Sequence, residues 1–239
     1  MTKDKTHILI TGASRGIGLA TLDVLQGDST KAVGQSTTGN NGLLKADFTG
    51  TGAAADLWTE AMEQLDGRID VLINNAGIFD PNPLDDPDGD WLANWNQTMQ
   101  VNLTVSAELC RFAVRHWQDR ESGGRIINIA SRAAYRGDSP AHWHYAASKG
   151  GMVAMTKTIA RAYAKQEILA FAICPGFTMT GMAEEYLESR GGDKLLADIP
   201  LGRVAQPEEI AEMARWCALD APPSMTGAVL DANGASFVR

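Results

Sequence analysis

The chain has 239 residues, of which 44% are hydrophobic and 21% are charged, and its formal net charge is −8. This length suits one large α/β domain, and the composition is that of a globular protein with a sizeable core. Because no run of Lys or Arg is present, nucleic acid and anionic membrane surfaces are not expected partners. No apolar run approaches the roughly 18 residues that a membrane-spanning helix needs, so we expect no membrane span.

The cysteines indicate a reducing compartment, and the histidines do not indicate a metal site. Cys110, Cys174 and Cys217 lie far apart in apolar surroundings and form no CxxC pair, which predicts reduced core residues. None of the histidines has the spacing of a metal ligand pair. The N-terminus leads directly into a strand, without the apolar core of a signal peptide. We therefore expect a cytoplasmic protein.

The first motif in chain order is a glycine-rich turn. Residues 7–10 have the pattern of a buried parallel strand, and residues 19–25 have helical periodicity. Between them lies Thr11-Gly-Ala-Ser-Arg-Gly-Ile-Gly18. Strand, glycine turn and helix form the context of a dinucleotide site, because glycines let the backbone approach a pyrophosphate at the helix N-terminus. The spacing differs from the common G-x-G-x-x-G fingerprint, and a simple turn is the alternative.

The end of the second predicted strand bears on the choice of cofactor. In NAD-specific sites an Asp or Glu here holds the ribose 2′-hydroxyl. This chain has Gln35, Ser36 and Thr37 instead. A 2′-phosphate would meet no repulsion, would accept hydrogen bonds from Ser36 and Thr37, and would pair with Arg15. The sequence favours NADP(H), with NAD(H) possible; the alternative for Arg15 is a solvated side chain.

The third and fourth strands are predicted at residues 42–47 and 69–73, with a helix at 53–65 between them. Asp47, at the end of the third strand, is placed either to accept a hydrogen bond from an adenine amino group or to cap the next helix. Asn74-Asn-Ala-Gly77 closes the fourth strand. Its small residues permit close approach of a ligand, and its asparagines can fasten neighbouring strands.

Residues 80–90 are rich in Pro and Asp and are predicted to be a loop. One long helix is predicted over residues 91–118, with Asn102 in its middle, where an amide side chain is locally disfavoured. Residues 125–130 form the fifth predicted strand, which ends at Ser131. Residues 132–144 are predicted to be a connecting loop. A helix follows at about residues 143–165.

That helix contains Tyr145-Ala-Ala-Ser-Lys149, which places Tyr145 and Lys149 one turn apart on the same face. A free phenol has a pKa of about 10, and a nearby ammonium is expected to lower it. Such a pair can protonate a carbonyl as it becomes an alcohol, or deprotonate the alcohol in reverse. The alternative for such a pair is an ordinary surface position.

The remaining elements complete an α/β pattern. We predict a sixth strand at residues 168–173, followed by Pro175-Gly176, a helix at 207–219 and a last strand at 228–231. Residues 177–200 are polar and are predicted to be a mobile substrate lid with a short helix at 183–189. Alternating strands and helices predict one Rossmann-type, doubly wound parallel sheet with helices on both faces, in a single domain spanning residues 1–239. Ligands of such sheets bind beyond the carboxyl ends of the strands.

These motifs, in this order, resemble the short-chain dehydrogenase/reductase superfamily in its short single-domain branch. The resemblance covers essentially all of the chain. It is carried by the glycine turn, Asn74-Asn-Ala-Gly77, Asn102, Ser131, the Tyr145–Lys149 segment and Pro175-Gly176. A looser likeness is to the NADPH-using 3-oxoacyl-[acyl-carrier-protein] reductases and related ketoreductases.

The resemblance implies a role for each matching residue. Tyr145 would be the general acid/base, Ser131 would orient the carbonyl, Lys149 would lower the phenol pKa and hold the nicotinamide ribose, and Asn102 would position a relay water. The cofactor would be held by a larger set, comprising Gly12, Ser14, Arg15, Gly16, Ile17, Gly18, Ser36, Thr37, Asp47, Asn74, Ala76, Gly77, Tyr145, Lys149, Pro175, Gly176, Thr178 and Thr180.

The expected reaction moves a hydride between NADP(H) and a carbonyl or secondary alcohol of a small molecule, in a homo-oligomer, either a tetramer or a dimer. His142 and His144 are expected to line the substrate entrance or to face solvent.

Rival members of the superfamily are less consistent with the chain. Sugar epimerases are usually longer, enoyl reductases separate Tyr and Lys more widely, and halohydrin lyases lose the cofactor glycines. A redox sensor that binds NADP without turnover tends to lose the Tyr or the Lys.

Overall fold

The computed structural model describes residues 5–179 and 192–239. Strands and helices alternate along the chain, as the periodicity of apolar residues predicts. The strands are β1 (Thr6–Ile10), β2 (Thr30–Ser36), β3 (Leu44–Lys45), β4 (Val71–Asn74), β5 (Gly124–Ile129), β6 (Ile168–Pro175) and β7 (Val229–Ala232). The helices are α1 (Gly16–Val24), α2 (Ala53–Gln64), α3 (Asp88–Met99), α4 (Val105–Asp119), α5 (Ala133–Arg136), α6 (Trp143–Tyr163), α7 (Gly192–Ala197) and α8 (Pro207–Leu219).

The strands form one sheet in the order β3-β2-β1-β4-β5-β6-β7. Every pair of neighbours is parallel, which confirms the predicted sheet. The chain moves outward from β1 through β2 to β3, and then returns to place β4 on the other side of β1. The order of strands therefore reverses between β1 and β4, and ligands bind such sheets at this position, beyond the carboxyl ends.

Apolar side chains cover both faces of the sheet. On one face Leu9 and Leu72 belong to a buried cluster with Leu109 and Trp117 of α4. On the other face the neighbouring positions of the same strands pack with Ile210 of α8. Because successive side chains of a strand point to opposite faces, strands covered on both faces need nearly continuous apolar runs. This explains why short apolar segments predicted the strands well.

The long helix predicted over residues 91–118 is interrupted. The segment Gln100–Thr104 is a π-helical turn between α3 and α4, in which the backbone N–H of Val105 bonds to the carbonyl of Gln100. Asn102 lies inside this turn. Such wide turns are rare and are often found at functional sites. The helix also begins earlier than predicted, at Asp88.

Smaller differences concern the connections. The segment predicted as a loop after Ser131 contains the short helix α5, and β3 has two residues rather than six. The short helix predicted at residues 183–189 lies outside the described residues. All three cysteines are buried and free, as predicted. None of the described helices is long and apolar enough to cross a membrane.

Candidate active site

The turn after β1 and the turn after β4 are fastened to each other. The Thr11 hydroxyl accepts hydrogen bonds from the backbone N–H groups of Asn75 and Ala76, each at 3.0 Å. The Asn75 side-chain amide donates to the carbonyls of Thr11 and Gly12, also at 3.0 Å. Thr11 was not among the predicted cofactor residues, whereas Asn75 fastens neighbouring strand ends as predicted for the asparagines of this turn. Their contacts give the two halves of the predicted nucleotide site one fixed geometry.

The glycine turn is too crowded for other residues. Gly12 and Gly16 have φ values of +66° and +54°, where residues with a Cβ are strained. A Cβ on Gly18 would lie 2.0 Å from the carbonyl oxygen of Gly12 and 2.5 Å from Nδ2 of Asn75. The first turn of α1 has no acidic residue and no side-chain cap. Its N-terminal N–H groups and positive dipole end therefore suit an anion such as a pyrophosphate.

Gly18→Ala is expected to lower the free energy of unfolding by about 1–3 kcal/mol, because the added methyl must displace backbone atoms. If the turn approaches a pyrophosphate as predicted, the substitution should also weaken binding of a dinucleotide such as NADPH at least roughly tenfold, because the turn would have to move. Denaturant titration and NADPH fluorescence measure the two effects.

Gly89→Ala in α3 is the matched control for Gly18→Ala, since a Cβ there meets nothing within 4 Å. It should keep native NADPH affinity and raise stability by about 0.5–1 kcal/mol, because alanine restricts the unfolded chain. Native affinity in Gly18→Ala would contradict the predicted position of the pyrophosphate at this turn.

Gln35 organises the end of β2, a role that the sequence did not reveal. Its Oε1 accepts the Gly12 backbone N–H at 2.9 Å, and its Nε2 donates to the Ala46 carbonyl at 2.7 Å. Next to it, the hydroxyl of Ser36 accepts the Gly39 N–H at 3.0 Å, which leaves the hydroxyl hydrogen of Ser36 able to donate. The Ser36 side chain, which lies in the region where NAD-specific sites carry an acid, is therefore fixed in position.

Three predicted cofactor residues around Ser36 are exposed at the carboxyl edge, namely Ser14, Arg15 and Thr37. Within the described part of the chain, Arg15 makes no ion pair. Asp47 is also exposed, and its Oδ1 accepts hydrogen bonds from the backbone and hydroxyl of Thr49, which lower the pKa of Asp47. The alternative that Asp47 caps the next helix is wrong, because α2 begins after Gly52 without a side-chain cap.

Asn74 and Ile17 have their side chains turned to the interior. The Asn74 amide donates to Oδ1 of Asn128 at 2.9 Å, across the register that pairs β4 with β5. It thus fastens neighbouring strands, and any contact with a cofactor would come from its backbone. Ile17 packs against the core on the α8 side. Ala76 and Gly77 lie at the edge itself.

Lys149, Asn102 and Gly77 meet directly. Lys149 is buried and donates from Nζ to the Ile129 carbonyl at 2.8 Å, at the end of β5. A Cβ on Gly77 would lie 3.3 Å from Oδ1 of Asn102 and 3.5 Å from Nζ of Lys149. The absence of a side chain at position 77 therefore leaves space beside the ammonium group.

The Asn102 side chain is fully buried and holds the backbone of Ile78 from both sides. Its Oδ1 accepts the Ile78 N–H at 2.8 Å, and its Nδ2 donates to the Ile78 carbonyl at 3.0 Å. Nδ2 also lies 3.3 Å from the hydroxyl of Ser148 in α6. Asn102 thereby joins the chain beyond β4 to the helix of Tyr145 and Lys149, which explains an amide in the middle of a helical stretch.

Ser131 and Tyr145 lie together at the end of β5. The Ser131 hydroxyl accepts the Ala133 backbone N–H at 3.1 Å, so its own hydrogen can be donated. Burial raises the pKa of Tyr145 to about 12, although hydrogen bonding with Ser131 acts to lower it. The phenol is therefore protonated at neutral pH.

The prediction that the pKa of Tyr145 is lowered is wrong, because burial raises it. Nζ of Lys149 is 5.9 Å from the centre of the Tyr145 ring, while it bonds to the Ile129 carbonyl. Burial also lowers the pKa of Lys149 to about 8. Desolvation of the phenol therefore outweighs the hydrogen bond with Ser131 that acts to lower its pKa.

The end of β6 supplies the last predicted cofactor residues. The Pro175 carbonyl accepts the Arg132 N–H at 2.9 Å, which joins this strand end to the residue after Ser131. A Cβ on Gly176 would lie 2.8 Å from Cβ of Asn233, so the chain passes closely here. The Thr178 hydroxyl points back to the Gly176 carbonyl at 3.4 Å. Thr180 lies outside the described residues, as does much of the predicted lid.

His142 and His144 differ in their surroundings. His142 stacks on Phe79, with ring centres 3.9 Å apart, and Phe79 in turn contacts Tyr145. His144 is only 1% exposed, so the alternative that it faces solvent is wrong. Across residues 5–179 and 192–239, no three His, Cys, Asp or Glu side chains are arranged to hold a metal ion.

Comparison with known proteins finds relatives over nearly the whole chain. Residues 11–234 match the family model described as Enoyl-(Acyl carrier protein) reductase. An acetoacetyl-CoA reductase of Shinella zoogloeoides is 33% identical over 240 residues, covering 96% of this chain and 97% of the relative. A 3-oxoacyl-[acyl-carrier-protein] reductase of Synechocystis sp. is 35% identical over 242 residues, covering 95% of this chain and 94% of the relative.

Among solved structures, an actinorhodin polyketide ketoreductase variant with NADPH superposes with a TM-score of 0.85 at 26% identity, covering 97% of each chain. The fold and the site define an oxidoreductase built on a parallel dinucleotide-binding sheet. The chain belongs to the short-chain dehydrogenase/reductase family.

Proposed function

We propose that the protein is an NADP(H)-dependent ketoreductase that interconverts a ketone and a secondary alcohol. The observation that carries this proposal is the meeting of Ser131, a protonated Tyr145 and a buried Lys149 at the carboxyl edge of the sheet. The names of the relatives, which are reductases of acetoacetyl-CoA and 3-oxoacyl groups, support the same reaction class.

The residues at the edge fit a dinucleotide. The glycine turn leaves its backbone open, and the uncapped N-terminus of α1 offers N–H groups to a pyrophosphate. Gly77 leaves space beside Lys149, where the ammonium would hold the nicotinamide ribose. Pro175, Gly176, Thr178 and Thr180 are proposed to flank the nicotinamide. When bound, the nicotinamide supplies or accepts the hydride.

Side chains of the protein transfer the proton. In reduction, the Tyr145 hydroxyl donates its proton to the carbonyl oxygen, and the Ser131 hydroxyl, by donating to the same oxygen, stabilises the charge that develops there. The Lys149 ammonium stabilises the resulting phenolate. Asn102, which is joined to the helix of Lys149 through Ser148, would position the water that returns a proton from solvent.

The preference for NADP(H) is supported by the end of β2. The fixed Ser36 hydroxyl, the exposed Thr37 and the exposed Arg15 can bond to a 2′-phosphate, and no acid repels it. The solved ketoreductase that superposes on this chain is described with NADPH. Asp47 would accept a hydrogen bond from the adenine amino group through Oδ2.

The pH dependence of the reaction should follow Lys149 and Tyr145. Since burial lowers the pKa of Lys149 to about 8, its charge is nearly complete well below that pH, half lost at it and largely lost above it. We expect kcat/KM for reduction to be level at about pH 6 to 7 and to fall through about pH 8, as the group that stabilises the phenolate is neutralised. Oxidation of an alcohol should instead rise with pH, because burial raises the pKa of Tyr145 to about 12 and the base is the phenolate.

Lys149→Met should remove the fall in kcat/KM for reduction above about pH 8 and lower the rate at neutral pH. Lys157→Met, on the exposed side of the same helix, is the control and should keep the native profile. A rate of reduction that increases from pH 7 to 9 in the native protein would contradict the assigned role of Lys149.

Reduction of an enoyl thioester is the second candidate, because the description of the matching family model names that activity. NADPH absorbance with a panel of ketones that includes acetoacetyl-CoA, and with crotonyl-CoA, separates the two. We expect turnover of ketones and none of crotonyl-CoA. Turnover of crotonyl-CoA alone, or of no carbonyl compound, would overturn the proposed function.

We also propose a cytoplasmic homo-oligomer, a tetramer or a dimer built on the helices that carry Asn102 and Tyr145. The family resemblance implies this assembly, and buried reduced cysteines fit a reducing compartment. Light scattering should show a dimer or a tetramer at micromolar concentration. A monomer as the only species would contradict the proposed assembly.

A further inference from the structure

The catalytic phenol is bordered by aromatic rings from two different loops. Phe79, beyond the turn after β4, contacts Tyr145 edge to face, with ring centres 4.7 Å apart and planes at 79°. His142, just before α6, lies flat on Phe79 with ring centres 3.9 Å apart and planes at 8°. Phe79, His142 and Tyr145 are all partly exposed. The Phe79–His142 pair therefore borders the Tyr145 ring on this side.

Hydrogen bonds within and between the loops that carry the pair, and from one loop to α3, hold these loops in place. Oγ of Ser139 and Nδ1 of His142 are 2.6 Å apart. Asn82 donates from its backbone N–H to the Ala141 carbonyl at 2.8 Å, and from its buried side chain to the Trp91 carbonyl at 3.1 Å. The ring positions are thus set before a substrate binds, which lowers the entropy cost of stacking on them.

Beyond the pair, aromatic rings continue away from Tyr145 into the interior, since His144 is buried. From His142 the rings continue through His144 to Trp95, at centre distances of 6.3 and 6.4 Å, and then to Trp91 at 5.4 Å. Burial lowers the pKa of both His142 and His144, which favours their uncharged forms. The surroundings of the Phe79–His142 pair are therefore mainly aromatic, which suits a flat apolar group.

We infer that the Phe79–His142 pair is a stacking site for an aromatic ring of the substrate, so that the enzyme prefers ketones that carry an aryl group. This inference rests on the proposed function and names its substrate class. Aromatic pairs in offset or edge-to-face contact gain free energy beyond that of the buried area, which corresponds to a preference of about five- to tenfold over a saturated ring.

Benzylacetone and its cyclohexyl analogue form the matched test. They have the same carbonyl group, the same two-carbon linker and six-membered rings, and they differ only in whether the ring is aromatic. The measurement is the ratio of their kcat/KM values with saturating NADPH. We expect about five- to tenfold in favour of benzylacetone for the native protein, and a ratio near one for Phe79→Leu, which keeps apolar bulk without an aromatic face.

Two further variants separate stacking from a structural effect. His142→Phe keeps the flat partner of Phe79 and should keep the ratio. Phe112→Leu makes the same change as Phe79→Leu in a remote aromatic contact with Trp58, and it should keep both the ratio and the rates. Because two substrates are compared on one protein, partial unfolding lowers both rates and leaves the ratio unmoved.

A native ratio near one overturns the inference, whether or not Phe79→Leu folds. If Phe79→Leu still shows a ratio of about five- to tenfold, the inference is overturned as well. Reduction of acetoacetyl-CoA without an aryl preference would leave the proposed ketoreductase function standing and reject only the stacking site. Failure to reduce any ketone rejects both.

Discussion

Tyr145→Phe is expected to lower the rate of ketone reduction by a factor of about 10² to 10⁴, the range typical of a lost general acid. The substitution removes a single oxygen atom, and the ring can keep its contact with Phe79. Binding of NADPH should be nearly unchanged, because the glycine turn, Ser36 and Lys149 remain. Steady-state kinetics and NADPH fluorescence measure the two effects separately.

Tyr163→Phe provides the control for the loss of one phenol oxygen from α6. Tyr163 lies at the other end of the helix, partly buried against the core, and it makes no hydrogen bond to the described part of the chain. It should keep native kinetics. Turnover retained in Tyr145→Phe would contradict the assigned mechanism. In that mechanism Tyr145 is the proton donor, and the other hydroxyl at the carbonyl oxygen, that of Ser131, is only weakly acidic.

Ser36→Asp is expected to reverse the choice of cofactor. The new carboxylate can still accept the Gly39 N–H that Ser36 accepts at 3.0 Å, so the loop can keep its shape. It would repel a 2′-phosphate and accept hydrogen bonds from the 2′-hydroxyl of NADH. We expect kcat/KM with NADPH to fall on the order of 100-fold and that with NADH to rise.

Thr59→Asp adds the same negative charge on the exposed side of α2 and should leave the cofactor preference unchanged. The native protein should prefer NADPH. Equal or better use of NADH by the native protein would overturn the proposed roles of Arg15 and Ser36, and an unchanged preference in Ser36→Asp would overturn that of Ser36.

Much of the fold could be predicted because it depends on local patterns. Strands covered on both faces need continuous apolar runs, and amphipathic helices need recurring apolar residues, so both leave a signal within a few residues. Errors fell where the pattern was short or the geometry unusual. β3 has only two residues, α5 only four, and the π-helical turn around Asn102 has the same apolar spacing as an ordinary helix.

The candidate site could be predicted only in outline. Parallel strands end at one edge, so the positions of the glycine turn, Ser131 and Gly176 in sequence already placed them together. Side-chain partners could not be inferred in the same way. Gln35 gives no sign in sequence that it holds the Gly12 amide 23 positions away, and Thr11 none that its hydroxyl accepts the Asn75 N–H from 64 positions away.

The sequence by itself determined the order of strands and helices, the glycine turn and the spacing of Tyr145 and Lys149, because neighbouring residues encode these features. Only the tertiary structure decided that the pKa of the Tyr145 phenol is raised and that Phe79 and His142 border it. Burial sets the first, since desolvation raises the phenol pKa more than the hydrogen bond with Ser131 lowers it. The second depends on two loops that the sheet brings together from positions more than sixty residues apart.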